Sequence, residues 1–293
     1  MAIIAVDARL VGGTNTGDST YWAGLLYGLS RVEHDHRIVL FSESAKPDLP
    51  FLQSFEWVEI HARHRRLWSL VTFPTAARRL GAEVIHTQYN LSPLAGDRGV
   101  TTIHDVSFFV GPEWFQPKDR LLLTKGIVAT AHRARRIITV SDTSRKEIEQ
   151  YVPGATGKIS VTPNACPPWI QRVDRQHAAQ RCEALGLKGP FALTVGTRWP
   201  RKNMDLAVEA MALLPADLPH QLAVTGKQGW GGNDLGARGL ATGYVSTEDL
   251  CCLYSAADVY LAPSRHEGFG IPVLEAFRCG CPVLSSCGGA LPE

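Results

Sequence analysis

The segment DVYLAPSRHEGFGIPVLEAFRCGCPVLS (residues 258–285) contains two apolar runs separated by a stretch of helical character. The apolar runs predict strands near 258–261 and 281–284, and the stretch between them predicts a helix near 272–279. Pro272 suits the start of that helix, where the missing N–H would have no partner in any case. Strand, helix and strand in this order form the repeating unit of a parallel sheet.

The rest of the chain repeats this alternation. Further strands are predicted near 2–7, 37–42, 57–60, 83–86, 100–103, 136–140 and 158–161, then near 191–196, 221–225 and 240–244. Further helices are predicted near 18–31, 67–80, 117–133, 142–151, 202–214 and 247–256. Runs that are apolar throughout, such as IIAV, fit parallel sheets covered on both faces. A Pro-rich stretch at 163–190 separates the two arrays, so the sequence predicts an α/β chain with two doubly wound, Rossmann-like domains, 1–170 and 171–293.

Composition excludes several classes of protein. The 293 residues include 30 Lys+Arg and 28 Asp+Glu, and 45% are hydrophobic, as in an ordinary globular protein rather than a disordered or collagen-like one. The near balance of charge argues against a nucleic-acid partner. No apolar run is long enough to span a membrane, and the start MAIIAVDARLVGG has no basic region typical of a signal peptide. The seven cysteines lack metal-site spacing, which predicts reduced thiols, no metal site and a cytoplasmic location.

The loop inside the quoted segment combines groups that suit a sugar phosphate. Glu267, Gly268 and Gly270 precede the predicted helix, and Glu275 is expected on its opening turn. Free amides at a helix N-terminus attract a phosphate oxygen, and carboxylates accept hydrogen bonds from hydroxyls. The alternative is purely structural, because acids favour helix N-termini and glycines favour turns.

Two glutamates in the pattern Glu-x7-Glu occur in the stretch EGFGIPVLE. This stretch, with the following AFRCGCPVLSS, closely resembles the retaining glycosyltransferases of family 4, which have the GT-B fold. Other segments resemble the same family in the same order: TIHDVSF (102–108), RRIITVSDTSRKEI (135–148), VGTRWPRKN (195–203) and TGYVSTEDLCCLYSAADVYLAPS (242–264). The resemblance covers nearly all of the chain. It implies transfer of a mannose- or glucose-type hexose from a nucleoside diphosphate sugar, of the GDP or UDP type, to a glycan or lipid-linked acceptor. It also implies retention at the anomeric carbon, without a metal or another cofactor.

The resemblance assigns roles in the second domain. It implies that Glu275 binds ribose hydroxyls of the donor and that Glu267 faces the donor sugar. The amides of Phe269 and Gly270 are expected near the sugar hydroxyls, and base recognition is expected near Val245.

Three cations follow the first strand of the second domain. Arg198, Arg201 and Lys202 are expected at the carboxyl end of that strand, where a leaving diphosphate needs fixed positive charge. Lys202 matches the family's diphosphate-binding lysine, and either Arg201 or Arg198 takes the role of its arginine. The competing interpretation is a solvated basic loop.

Two features of the first domain are candidate contacts for the substrates. His104 follows the strand VTTI and is expected in a cleft between the domains, where the family places a histidine. Gly12 and Gly13 lie in the loop VGGTNTGDSTYW, which would let a backbone approach a phosphate or the acceptor. The sequence of this loop differs from the one more common in the family, and it is not a dinucleotide-binding fingerprint.

The segment HARHRRLWSLVTFPTAARRL (61–80) places arginines beside an apolar run. One interpretation is an exposed aromatic face that rests on the anionic inner face of a membrane, as a lipid-linked acceptor would require. The other is an ordinary amphipathic helix packed on the sheet.

The chain ends at SSCGGALPE with no predicted closing helix, so we expect a second domain that is incomplete at its C-terminus. Four alternatives to a transferase remain at this point. They are a catalytically silent fragment that binds a sugar nucleotide, a sugar-nucleotide epimerase, a phosphorylase, and a two-lobed binding protein that performs no chemistry.

Overall fold

A computed structural model describes residues 1–13, 16–230 and 234–293 and divides them into two compact units. Unit 1 consists of Met1–Val110 and Gln116–Asn164, and unit 2 of Gly111–Phe115 and Ala165–Glu293. The chain passes finally into unit 2 within the Pro-rich stretch, between Asn164 and Ala165; the sequence interpretation placed the boundary between residues 170 and 171.

Unit 1 is built on a parallel sheet with the strand order β3-β2-β1-β4-β5-β6-β7. The strands are β1 (Ile3–Asp7), β2 (Arg37–Ser42), β3 (Glu56–Glu59), β4 (Val84–Gln88), β5 (Gly99–Thr102), β6 (Arg136–Thr139) and β7 (Ile159–Val161). The strand order reverses between β1 and β4, which pair in parallel. In doubly wound sheets, ligands bind outside the carboxyl ends of the strands at such a reversal.

The helices of unit 1 connect these strands. They are α1 (Gly17–Leu29), α2 (Arg65–Leu67), α3 (Phe73–Arg79), α4 (Ser107–Val110), α5 (Pro117–Arg133) and α6 (Asp142–Tyr151). The start of α1 is fixed by a capping box, in which the Thr16 hydroxyl accepts from the Ser19 amide and the Ser19 hydroxyl accepts from the Thr16 amide. Within the first turn of α1, Asp18 accepts a hydrogen bond from Gln88 at the end of β4.

The predicted helix 67–80 is present, but it is interrupted. A π-helical turn, Trp68–Thr72, joins α2 to α3. Trp68 and Phe73 are fully buried and stack on each other with ring centroids 5.0 Å apart. The expectation of an exposed aromatic face is therefore wrong, because both rings belong to the core of unit 1.

Unit 2 is built on a second parallel sheet with the order β10-β9-β8-β11-β12. The strands are β8 (Phe191–Val195), β9 (Gln221–Thr225), β10 (Gly239–Gly243), β11 (Val259–Ala262) and β12 (Val283–Ser285), and the helices are α7 (Arg175–Ala184), α8 (Met204–Ala212), α9 (Thr247–Ala256) and α10 (Ile271–Cys279). Here the strand order reverses between β8 and β11. Two doubly wound sheets confirm the α/β class and the two alternating arrays.

Helix α7 was missed in the Pro-rich stretch. Its buried face consists of Ala178 and Cys182, too few apolar residues to show a helical period. The helix is fixed from outside: the Asp174 carboxylate caps its first amides, and Arg181 binds Asp249 of α9 at 2.5 Å. Tertiary packing on α9 therefore defines α7.

Candidate functional site

In unit 2, the loops after β8 and β11 are tied together at the reversal of the sheet. A short 3-10 turn, Pro200–Lys202, ends at Asn203, which has a left-handed backbone with φ of 51°. The Asn203 side-chain amide donates to the Pro263 carbonyl at 3.1 Å, and the Arg265 N–H donates to the Arg201 carbonyl at 2.8 Å. This bracing holds two consecutive cations, Arg201 and Lys202, against the loop after β11.

Both cations bind the same carboxylate. Lys202 Nζ lies 2.6 Å from Glu267 Oε1, and Arg201 Nη1 lies 3.2 Å from Glu267 Oε2. The Ser264 hydroxyl also donates to Glu267 Oε1 at 2.5 Å. We call Arg201, Lys202, Ser264 and Glu267 the charge cluster; it brings together three of the residues predicted from the sequence and adds Ser264.

The charge cluster is largely shielded from solvent. Burial alone would raise the pKa of Glu267, but Lys202 and Arg201, with hydrogen bonds from Lys202 and Ser264, lower that pKa to about 2. Charge-assisted hydrogen bonds in such surroundings are short and strong. The cluster therefore holds two fixed cations around one carboxylate, an arrangement suited to an anionic ligand.

A glycine of the C-terminal segment supports Glu267 from behind. Gly289 has φ of +63°, and a Cβ at this position would lie 2.3 Å from the Glu267 carbonyl oxygen. The next residue, Ala290, donates its N–H to that same oxygen at 2.8 Å. Only a glycine fits this close approach, and the sequence offered no spacing from which to infer it.

Glu275 lies in the same βα unit but has different partners. It is the fifth residue of α10 and is buried, so it lies beyond the opening turn on which it was expected. Its Oε2 accepts a hydrogen bond from the Tyr254 hydroxyl at 3.0 Å. Burial, reinforced by Cys251, raises the pKa of Glu275 to about 7. This carboxyl therefore exchanges its proton near neutral pH.

The loop between these two glutamates leads directly into α10. Gly270 is the N-cap of that helix, with φ of +96°, and neither it nor Ile271 after it offers a side-chain cap. Gly268 is buried and Phe269 partly buried. Amides at the start of a helix without a side-chain cap suit a polar ligand oxygen.

Two other predicted residues of unit 2 lie outside the charge cluster. The Arg198 amide donates to the Lys227 carbonyl at 3.1 Å, which joins the loops after β8 and β9. Val245 follows β10 and packs against the apolar core of unit 2. Beside it, Lys227 Nζ lies 5.8 Å above the ring of the exposed Tyr244. Of the two candidate arginines, the structure places Arg201 with Lys202.

In unit 1, a second group of polar side chains lies where β4 ends. Gln88, the last residue of β4, donates from Nε2 to Asp18 Oδ1 at 3.1 Å and contacts His104 Nε2 at 2.5 Å. Trp22 Nε1 donates to Gln88 Oε1 at 2.9 Å. We call Asp18, Trp22, Gln88 and His104 the polar cluster. Only His104 was predicted; an acid in the first turn after a Gly-rich loop was the available signal for Asp18.

The polar cluster rests on a buried hydrogen-bonded layer. The Thr102 hydroxyl contacts both the Tyr21 hydroxyl, at 2.8 Å, and His86 Nε2, at 2.9 Å. The Tyr21 ring packs edge-on against the His104 ring with centroids 4.6 Å apart. Burial lowers the pKa of His104 to about 4, although Asp105 opposes this, and it lowers the pKa of His86 to about 4 as well. Both rings are therefore neutral at pH 7.

The pKa of Asp18 is shifted in the opposite direction to that of Glu267. Partial burial of the Asp18 side chain, which is 47% exposed, together with the charge of Asp105 raises the pKa of Asp18 to about 6. Its Oδ1 lies 3.9 Å from His104 Nε2, with Gln88 hydrogen-bonded to both. The polar cluster therefore loses the negative charge of Asp18 as the pH falls through about 6.

The Gly-rich loop of unit 1 is shaped by packing. Gly12 has φ of +76°, and a Cβ there would lie 2.5 Å from Pro47, so a glycine is required irrespective of any ligand. Gly13 is exposed, and the following Thr14 and Asn15 lie outside the described residues. Within the described ranges, no group of three or more His, Cys, Asp or Glu residues could hold a metal ion.

Comparison with known proteins gives matches over both units. Residues 16–168 match the family described as Glycosyltransferase Family 4, and residues 179–293 match Glycosyl transferases group 1. O-antigen chain mannosyltransferase B from Escherichia coli is 38% identical over 212 residues, which cover 67% of this chain and 55% of that protein. The chain thus spans little more than half the length of this relative.

Solved structures also resemble the chain along almost its whole length, among them WaaG and Alr3699/HepE. WaaG, a glycosyltransferase involved in lipopolysaccharide biosynthesis, has a TM-score of 0.73 and 18% identity over 99% of this chain and 82% of WaaG. Alr3699/HepE from Anabaena, in complex with UDP and glucose, has a TM-score of 0.72 and 18% identity over 100% of this chain and 82% of HepE. At this identity the likeness concerns the fold.

Proposed function

The chain belongs to glycosyltransferase family 4 and has the GT-B fold, and from this premise we propose that it transfers a hexose from a nucleoside diphosphate sugar to a glycan or lipid-linked acceptor. The observation that carries this proposal is the charge cluster. Lys202 and Arg201 are fixed at the carboxyl edge of the sheet, at the reversal between β8 and β11, where ligands of such sheets bind. A bound diphosphate would form ion pairs with both cations.

The donor sugar we propose is mannose, carried by a GDP- or UDP-type nucleotide. The similarity to a mannosyltransferase supports the sugar, and the UDP complex of HepE supports a nucleoside diphosphate. Glu275 would accept hydrogen bonds from the ribose hydroxyls, and the amides of Phe269 and Gly270 would contact the sugar.

The chemical step we propose retains the anomeric configuration. Bond breaking at the anomeric carbon places negative charge on the leaving diphosphate, and Lys202 and Arg201 would stabilise that charge as it develops. The acceptor hydroxyl would attack the face that the diphosphate leaves and would pass its proton to a diphosphate oxygen. This route needs no nucleophilic side chain and no metal. His104 would hold a substrate oxygen.

The test is thermal unfolding of the 293-residue chain with GDP, UDP and ADP, for the wild type, Lys202→Ala and the control Lys188→Ala. Lys188 is exposed and lies outside the charge cluster. A ligand at about 100 times its Kd adds about 2.7 kcal/mol of stability, a shift of several degrees. We expect one nucleotide to stabilise the wild type and the control but not Lys202→Ala. No shift with any of the three nucleotides would contradict the proposed donor site.

We also propose that unit 1 contacts the inner face of a membrane, where a lipid-linked acceptor would lie. Among the described residues of this unit, the large exposed apolar side chains are aliphatic, and they include Leu67, Leu70, Val71 and Leu94, with Leu121 and Leu122 on α5. Hydrogen bonds join these elements, because Ser92 donates to the Leu70 carbonyl at 2.5 Å and the Leu91 amide donates to Thr130 of α5 at 3.1 Å.

Exposed cations lie near these aliphatic side chains in the sequence: Arg63, Arg65 and Arg66 precede Leu67, and Lys118, Arg120 and Lys125 are on α5. Positive charge beside apolar side chains suits a surface of anionic lipids. Within the described part of the chain, none of the helices combines the length and the hydrophobicity that spanning a bilayer requires. The seven cysteines are free thiols, the state that the reducing cytoplasm maintains, which supports a cytoplasmic location.

Co-sedimentation with vesicles tests this contact. The wild type should bind vesicles that contain anionic phospholipid and should not bind neutral vesicles. Arg65→Glu with Arg66→Glu should abolish binding, and Lys146→Glu with Lys188→Glu, which changes the net charge equally at two other exposed positions, should preserve it. Equal binding by both double variants would rule out this surface.

A further inference from the structure

The orientation of the Gln88 side chain is fixed by a neighbour that can only donate. The indole Nε1–H of Trp22 has no lone pair to offer, so the Gln88 atom 2.9 Å from it must be the amide oxygen. The amide nitrogen therefore faces the other side, toward Asp18 and His104. The two ends of the Gln88 amide are therefore identified by the chemistry of their partners.

The amide nitrogen of Gln88 carries two hydrogens and has two acceptors. One hydrogen goes to Asp18 Oδ1 at 3.1 Å, and the other goes to His104 Nε2 at 2.5 Å. Because Gln88 donates to it, His104 Nε2 must present its lone pair and cannot carry a proton. In a neutral imidazole the proton then lies on Nδ1.

We propose that Gln88 is a positioning residue that holds His104 in the neutral Nδ1–H tautomer, so that the ring offers an N–H donor to an oxygen of the bound sugar substrate. That His104 meets a sugar rests on the proposed function; the tautomer rests on the polar cluster alone. A donor of fixed direction at this place selects an oxygen acceptor over a cation or a second N–H donor.

The surroundings of His104 keep the ring neutral. The remaining question is which of its two nitrogens carries the proton. Rings of Tyr21 and Tyr89 pack against it, with centroids 4.6 and 5.6 Å away, and burial keeps its pKa at about 4. The titratable groups around the ring are Asp18 and Tyr21 on α1, His86 on β4, Tyr89 after β4, and Asp105 next in the chain. Asp105 and Asp18 are the two acids of this set; Asp105 favours a proton on the ring, and Gln88 decides which nitrogen carries it.

The decisive variant is Gln88→Glu, which preserves the shape of the side chain and the acceptor for Trp22. It replaces the amide nitrogen with an oxygen that accepts, so the proton should move to His104 Nε2. Long-range ¹H–¹⁵N NMR of histidine-labelled protein distinguishes the two tautomers, and loss of one signal set in His104→Asn assigns His104. We expect Nδ1–H in the wild type, and Nε2–H or imidazolium in Gln88→Glu.

A second pair of variants guards against a Gln88→Glu protein that does not fold. Trp22→Phe combined with Asp18→Asn removes both groups that orient the amide, the indole donor and the carboxylate acceptor, so His104 should become a mixture of tautomers in the double variant. Asp18→Asn retains an oxygen that accepts from Gln88, so the tautomer should stay Nδ1–H. An Nε2–H signal in the wild type, or one tautomer in the wild type, Gln88→Glu and the Trp22→Phe, Asp18→Asn double variant alike, would overturn the proposal.

Turnover adds an independent comparison. Gln88→Glu should lower kcat about tenfold or more at pH 7, because a misdirected polar group loses the positioning that it provides. The NMR result needs neither donor nor acceptor. An Nδ1–H signal in a protein without transferase activity would therefore contradict the proposed function and leave the tautomer assignment standing.

Discussion

The charge cluster of unit 2 and the polar cluster of unit 1 occupy equivalent places in two similar sheets. They differ in chemistry, because ion pairs form the first and hydrogen bonds between largely neutral groups form the second. Each lies where the strand order reverses. In unit 2 two cations bind one carboxylate at 2.6 and 3.2 Å, whereas in unit 1 a neutral amide joins a neutral imidazole to an acid. Ion pairs supply charge and neutral hydrogen bonds supply direction, so the two clusters suit an anionic group and a hydroxyl, respectively.

A similar contrast exists within unit 2, between Glu267 and Glu275. Both carboxyl groups are buried at the end of the same βα unit. Neighbouring cations lower the pKa of Glu267 to about 2, whereas burial with a tyrosine partner raises the pKa of Glu275 to about 7. The partner set, more than burial itself, decides which carboxyl is ionised.

The largest effect should come from removing the charge at Lys202. Lys202→Ala should lower kcat/KM for the nucleotide sugar roughly a thousandfold, because the leaving diphosphate loses a fixed cation. Initial rates with a radiolabelled sugar donor would measure this. Lys188→Ala should match the wild type, and a Lys202→Ala enzyme within about tenfold of the wild type would mean that the charge cluster is structural only.

The next largest effect should separate the two candidate arginines. Arg201→Ala should lower kcat about a hundredfold, since Arg201 shares Glu267 with Lys202. Arg198→Ala should change kcat by less than about threefold, because the arginine placed in the charge cluster is Arg201. Steady-state kinetics of the two variants, which carry the same substitution at neighbouring positions of one loop, provide a direct comparison. Equal losses would show that the cluster extends to Arg198.

A third effect concerns stability. Glu267→Gln leaves two largely buried cations without a carboxylate and should lower the free energy of unfolding by about 3 kcal/mol at pH 7. Because the pKa of Glu267 lies below its ordinary value, its stabilisation is complete above pH 4.5 and is lost as the pH falls toward 2. Urea unfolding between pH 3 and 7 should therefore show a smaller acid dependence in the variant. Parallel curves would contradict the ion-pair description.

The sequence predicted the architecture well because apolar strands and intervening helices leave a strong periodic pattern. Helix α7 was not predicted, because two buried side chains are too few to produce a helical period in the sequence. Its position depends on contacts with α9. The charge cluster could be predicted in part, since Lys202 and Glu267 lie in segments that resemble the family. Gln88 could not be predicted, because its importance comes only from the residues 70 and 16 positions away that the fold brings to it.

The smallest effect should be a gain in stability, and it tests the other glutamate. Because burial raises the pKa of Glu275 to about 7, the folded protein binds a proton there that the unfolded chain releases near pH 4.5. The stability supplied by this group is therefore complete below pH 4.5 and is lost as the pH rises through 7. An amide in place of this carboxyl cannot ionise, so Glu275→Gln should be more stable than the wild type at pH 8, by on the order of 1 kcal/mol, and not at pH 5.

Urea unfolding at the two pH values measures this difference, with Glu183→Gln as a control at an exposed position of α7. The same Glu275→Gln protein should bind its nucleotide about tenfold more weakly at pH 8, because a carboxylate accepts ribose hydrogen bonds better than an amide. A variant that gains stability and loses affinity would show two things. Ionisation of the buried Glu275 lowers the stability of the protein, and the same carboxylate contributes to ligand binding. If stability fell at both pH values, the Tyr254 hydrogen bond would outweigh the ionisation, and Glu275 would belong to the core.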